Sequence, residues 1–184
     1  FKAEKNGHRY ASELVTQISE LNNGIYLDDE LENSHTTNFC IGVGAYPEKH
    51  MEAPNFDTDL QFLKQKIDKG ADYIVTQMFF DNAKFFDFVD RCRKSGIEVP
   101  IIPGLKPLTT KGQLNMIPHR FKVDLPDALV IEILKAKDNE AVKQIGIEWC
   151  IQQSKEIIAA GIPIVHYYSM GKSDTVKRVA KEVF

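Results

Sequence analysis

Four short apolar runs, at 39–45, 73–80, 99–103 and 162–168, alternate with helical patterns, and this alternation constrains the chain more than any other feature. The pattern before the first run has apolar residues at Ala11, Leu14, Val15, Ile18 and Leu21, which is helical spacing over 10–21, stopped by Asn22-Asn23-Gly24. Further helices are expected over 57–69, with Leu60, Leu63 and Ile67 inward and Gly70 as stop, and over 82–95, capped by Asn82 and ended by Gly96. A short helix capped by Thr109 or Thr110 carries Gln113, and helices at 126–135 and 139–160 and a terminal one to about 183 complete the set. Residues 25–38 read as an acidic surface excursion.

Strands that alternate with helices are parallel and joined by right-handed crossovers. An eight-stranded (β/α) barrel takes about 250 residues and at least roughly 200. A chain of 184 residues that opens on a crossover helix and delivers four strand-helix units is therefore expected to be a single α/β domain over 1–184, the C-terminal half of a (β/α)8 TIM barrel. A small open doubly wound sheet of four strands fits the same pattern.

A net charge of -3 provides no basic field for a polyanion, and no Lys/Arg cluster is interleaved with aromatics, so nucleic acid is not an expected partner. The three cysteines are far apart and lie within predicted elements, as reduced thiols do. The histidines have no metal-ligand spacing, and no metal is expected. With no apolar run of about 18 residues and no signal-peptide pattern, no membrane association is expected, and the protein reads as cytoplasmic. It opens on Phe1, so a preceding stretch, leader included, could have been lost.

The first strand hands over to Gly44-Ala45-Tyr46-Pro47-Glu48-Lys49-His50, where Pro47 forbids further ladder pairing. In α/β sheets ligands collect where parallel strands finish, so this cluster is the leading site candidate. Gln77, near the end of the second strand, can offer a donor and an acceptor, or bond to neighbouring backbone instead. Alternation puts His166 and Tyr168 on one side of the fourth strand and Tyr167 on the other. Asp59 and Lys66 share a helix face, from which Lys66 can reach a phosphate or simply face solvent. Gly171-Lys172-Ser173 ends like a phosphate-binding loop, but His166 stands where that motif needs glycine, and no G-x-G-x-x-G follows a strand.

The order of Tyr10-Ala11-Ser12-Glu13, then Y-P-E-x-H at 46–50, G-A-D-x-x-x-T-Q-x-F-F-D at 70–81 and I-I-P-G at 101–104, resembles the methylenetetrahydrofolate reductase family. The resemblance runs from about Tyr10 to the C-terminus. It implies a (β/α) barrel that binds FAD and uses NADH or NADPH to reduce 5,10-methylenetetrahydrofolate to 5-methyltetrahydrofolate, with ping-pong kinetics and a homo-oligomeric full-length enzyme. Tyr10, Ala11, Gly44, Tyr46, His50, Asp59 and Lys66 are implied at the FAD, and Gln77, Gln113, Tyr168 and Lys172 at the nicotinamide or folate. Lys172 stands where many members have arginine. Phe62 and Gln65 replace an asparagine and an arginine, and Ile117 replaces an aromatic. The family's catalytic carboxylates belong to the upstream half, which would precede Phe1, so no catalytic residue is expected in this chain. A half barrel is expected to leave two strand edges unpaired and to be inactive, oligomeric or poorly soluble unless complemented. Rival readings are a flavin-free barrel acting on a phosphorylated or pterin substrate, and a non-catalytic folate-binding fragment.

Overall fold

A computed structural model describes residues 3–5, 7–28, 30–171 and 173–184. In chain order the elements are α1 (Ala11–Asn22), β1 (Gly42–Ala45), α2 (Phe56–Asp68), β2 (Tyr73–Met78), α3 (Asn82–Lys94), β3 (Ile101–Leu105), α4 (Gln113–Phe121), α5 (Asp127–Lys135), α6 (Asn139–Ala159), β4 (His166–Tyr167) and α7 (Asp174–Val183). The four strands form one parallel sheet in the order β1-β2-β3-β4. Among the described residues the sheet is open, and β1 and β4 have one strand neighbour each. Among the described residues no helix is long and apolar enough to cross a membrane.

The helices explain themselves locally. Asn55 caps α2 by accepting from the Thr58 N–H at 2.8 Å, and Asp138 caps α6 by accepting from Ala141 at 2.9 Å. α2, α3 and α6 stop one or two residues before Gly70, Gly96 and Gly161, all at positive φ. The cap of α3 differs from expectation: Asp81 accepts from Ala83, while Asn82 is buried and turned toward α6. There its amide donates to Glu156 and the Gln153 carbonyl and accepts from the Gln153 side chain, so it pins two helices together. The expected threonine cap of α4 is also replaced. Gly112 occupies the cap position, and the Gln113 side-chain oxygen accepts from the Thr109 and Thr110 N–H groups at 2.6 and 3.2 Å.

The strands are shorter or shifted relative to the sequence pattern. Before β1, Ile41 pairs with Asp72, whose carboxylate and N–H act in place of a neighbouring strand. After β2, Phe79 stacks on Phe85 and the Phe80 carbonyl accepts from the Trp149 indole, so both residues leave the ladder for the helices. β3 begins two residues later than expected and runs through Gly104 and Leu105, which had read as exit loop. The last strand, at the edge of the sheet, contracts to His166 and Tyr167, which pair with Gly104 and Leu105, and the Tyr168 N–H still donates to the Leu105 carbonyl at 2.9 Å.

β3 also carries a proline inside a central strand, and the ladder accommodates it locally. The β2/β3 register shifts between Val75 and Met78, and the Gly104 N–H donates to the Thr76 hydroxyl at 2.9 Å. Thr76 is fully buried. Thr76→Val therefore leaves a buried N–H without its acceptor, and a loss of about 1–3 kcal/mol in urea unfolding is expected.

One sheet face is covered and the other is not. Val43, Ala45, Ile74, Ile101 and Leu105 join a core with side chains of α1, α2, α3, α6 and α7. On β1 and β2 the alternate positions, Gly42, Gly44, Tyr73, Val75 and Gln77, are exposed or half-buried. A doubly wound sheet would bury both faces. One-sided burial in a parallel sheet is consistent with the wall of a partial barrel. A second cluster, built from Met78, Phe80, Leu108, Ile117, Leu129, Ile133 and Val142, closes the end of the sheet beneath α4 and α5.

Candidate active site

The residues that follow β1 and those on α2 meet at the end of the sheet. Gly44, Ala45, Tyr46, Asp59 and Lys66 line a notch of about 10 Å³, floored by Phe56, Leu60, Leu63 and Phe88. That volume holds roughly one water, so a larger ligand lies across the notch and not within it. Lys66 donates to the Gly44 carbonyl at 2.7 Å. Burial pulls its pKa below the ordinary lysine value, against the opposing pull of Asp59. The Asp59 carboxylate accepts from the His50 backbone N–H at 2.7 Å, which folds the loop back over α2. The Tyr46 and His50 rings meet edge to face with centroids 4.5 Å apart. Burial, with Asp59 and Glu52 nearby, raises the Tyr46 pKa.

A second group of predicted residues sits across the sheet. His166 and Tyr168 do share a side, their rings 4.6 Å apart, while Tyr167 turns the other way to Ser154 of α6. The Tyr168 hydroxyl donates to the Thr76 carbonyl at 2.8 Å, and its ring lies where a side chain on Gly104 would stand. Burial raises its pKa, and Tyr46 adds to the rise.

Other predicted site residues are placed differently. Gln77 is half-buried and its side-chain oxygen accepts from the Met78 N–H at 2.9 Å, which is the local bonding that the sequence left open. The oxygen of Gln113 is committed to the turn at Thr109 and Thr110, leaving its amide hydrogens for any ligand. Tyr10, 54% exposed, and Ala11 start α1 outside the notch, where Glu13 accepts from the Arg9 and Tyr10 N–H groups. Lys172 lies outside the described residues.

The structure adds a cluster that sequence spacing could not reveal. Glu48 turns away from the notch, its side chain only 8% exposed, and accepts from Lys84 of α3 at 2.7 Å and from the Asp124 N–H at 3.0 Å. Lys84 also pairs with the Asp124 carboxylate. Burial raises the Glu48 pKa, although Lys84 pulls it down. Its other carboxylate oxygen is buried and has no partner among the described residues. Lys106, directly after β3, is likewise only 7% exposed, and burial lowers its pKa. The one legible signal was a charged residue between a buried strand and a proline.

Among the described residues no group of three or more His, Cys, Asp or Glu side chains is placed to hold a metal ion. Cys92 and Cys150 are buried, which pushes each thiol up to about 12 and leaves them unreactive.

A parallel four-stranded sheet with helices packed on one face and polar side chains collected at its strand ends makes this an α/β fold, consistent with a partial barrel. A family model of methylenetetrahydrofolate reductase matches residues 1–183, and the chain belongs to that family. It is similar to methylenetetrahydrofolate reductase 1 of Schizosaccharomyces pombe, with 34% identity over 97% of this chain and 28% of that protein. Methylenetetrahydrofolate reductase (NADH) 1 of Zea mays is 40% identical over 72% of this chain and 24% of its own length. For 5,10-methylenetetrahydrofolate reductase of Escherichia coli the identity is 32%, over 90% of this chain and 51% of that protein. The chain thus spans about a quarter to a half of the length of these relatives. Among solved structures, an uncharacterized Clostridium thermocellum protein that binds two copies of 5-methyl-5,6,7,8-tetrahydrofolic acid shares the fold, with a TM-score of 0.51 and 21% identity over 78% of this chain and 52% of that one.

Proposed function

We propose that the complete protein reduces 5,10-methylenetetrahydrofolate to 5-methyltetrahydrofolate with NADH or NADPH, using FAD, and that this chain supplies the C-terminal half of its (β/α)8 barrel. The observation that carries the reading is the convergence of Tyr46, His50, Asp59 and Lys66 at the end of one strand, in a chain matched to the family almost throughout. Relatives named for NADH or NADPH support the reductant but not a choice between the two. The same reading makes the enzyme cytoplasmic and homo-oligomeric.

The residues present suit an extended dinucleotide. Lys66 is a half-buried ammonium whose acceptor among the described residues is the Gly44 carbonyl, and its remaining hydrogens can meet a pyrophosphate. Tyr46 and His50 offer two partly apolar rings, set edge to face, in the loop beside it. The chemistry a bound FAD would supply is hydride transfer between the nicotinamide and the folate. The protein's share is placement: Gly44 has no side chain to block approach, and a Cβ there would meet nothing within 4 Å. Gln77 and Gln113 keep their amide hydrogens for a ring carbonyl, while Tyr168 is held by Thr76 and presents its ring. Lys172 is assigned to the folate's carboxylate tail. The proton donor belongs to the upstream half.

The purified complete protein is expected to be yellow, with flavin absorption bands that NADH or NADPH bleaches and 5,10-methylenetetrahydrofolate restores. A colourless protein that oxidises neither nicotinamide would overturn the proposal.

A further inference from the structure

We propose that Glu48 is a positioning residue that latches the flavin-side loop to the folate-side helix, an inference that rests on the functional reading above. Its carboxylate ties together three segments from different strand-helix units. These are its own loop after β1, the first turn of α3 through Lys84, and the connection after α4 through the Asp124 N–H, 76 positions away. The loop carries Tyr46 and His50, and α4 carries Gln113 at its other end. A rigid tie between them means that the ring pair and the α4 amide keep one spacing.

Two features argue that this tie has a purpose beyond packing. Among the described residues the second Glu48 oxygen is buried with no partner, and a buried polar group left unpaired is destabilising. The next residue, Lys49, is held at φ 80, a left-handed conformation that persists in a non-glycine residue only when its surroundings over-determine it. Lys49 donates to the His50 carbonyl at 2.9 Å, its N–H bonds to Tyr46 at 3.1 Å, and Glu48 anchors the same turn from the other side. The turn is what directs the His50 N–H at Asp59.

The test uses the complete protein and the variants E48Q, K84M, E48Q/K84M and D124A. The last removes a carboxylate but keeps the N–H that Glu48 uses. E48Q and K84M are each expected to speed FAD loss on dilution about tenfold and to raise the folate KM by a similar factor. In FAD-saturated enzyme the kcat for NAD(P)H oxidation by menadione is expected to stay within twofold. The double variant should be no worse than either single one, because both break the same tie. D124A should change FAD retention less than threefold. A merely structural Glu48 would lower the melting temperature while leaving FAD retention and the KM-to-kcat split unchanged, and that result overturns the inference alone. If E48Q does not fold, K84M reads the same tie from an outer, partly exposed side chain. A wild-type enzyme without flavin would overturn the functional reading and this inference with it.

Discussion

Lys66→Met is expected to weaken FAD binding by about 10- to 100-fold while leaving the fold standing, because a charge-assisted hydrogen bond contributes about 1.5–3 kcal/mol. Two opposing effects set the stability change. Methionine removes a half-buried charge whose desolvation is unfavourable, and it also removes the donor to the Gly44 carbonyl. These terms are similar in size, so unfolding midpoints should shift little while flavin affinity falls. The pH dependence has a definite sign. In the free protein burial has lowered the Lys66 pKa, and a bound pyrophosphate favours the ammonium. FAD affinity is therefore full while Lys66 is protonated and declines as pH rises through that lowered value. Titrating flavin fluorescence against pH should show this decline in the wild type and lose it in K66M. For folding the sign reverses: the unfolded chain holds this proton more tightly, so the Lys66 contribution to stability rises between the lowered value and the ordinary lysine value. An affinity in K66M equal to wild type would remove Lys66 from the cofactor site.

Gly146→Ala is expected to destabilise the protein by about 2–4 kcal/mol, even though alanine is the better helix former by about 1 kcal/mol. A Cβ at this position would stand 2.0 Å from the Leu108 carbonyl oxygen and 2.7 Å from its nitrogen. Both are backbone atoms and cannot rotate aside. α6 would have to move, and it is tied by Trp149 to Phe80, by Gln153 to Asn82 and by Ser154 to Tyr167. Moving it strains all three ties, so the clash outweighs the propensity gain. Gly112→Ala is the comparison, since nothing lies within 4 Å of a Cβ there, and its midpoint should change by under about 0.5 kcal/mol. A Gly146→Ala protein as stable as wild type in urea would show that α6 is not held against the segment after β3.

The helices were legible because their signals are local: apolar spacing of three and four, a polar cap and a glycine stop lie within one stretch of chain. Strand ends were less so. The sequence suggested 162–168 for the last strand, but ladder bonds need a neighbour, and β3 pairs with that edge at His166 and Tyr167, with one further bond from the Tyr168 N–H to the Leu105 carbonyl. Pro103 in β3 is tolerated because the β2/β3 register shifts beside it, and Thr76, on the other strand, supplies the acceptor that the shifted Gly104 N–H needs. The caps of α3 and α4 went astray for the same reason, since Asn82 found stronger partners on α6 and Gln113 turned back on the residues that were expected to cap it.

The candidate site divides in the same way. That Tyr46, His50, Asp59 and Lys66 belong together was implied by the family resemblance, while the residues themselves showed only a polar loop after a strand and an acid and a base on one helix face. The bond from Lys66 to Gly44, the tie from Asp59 to the His50 backbone and the turning of Glu48 toward Lys84 and Asp124 could not.

By itself the sequence determined the order and type of the elements and the loop on which polar chemistry collects, because both depend on residues a few positions apart. Only the tertiary structure decided which sheet face is left bare, where each strand stops and which partner each side chain takes. Those outcomes depend on groups tens of residues away competing for the same hydrogen bonds and the same space, and no local pattern records the result.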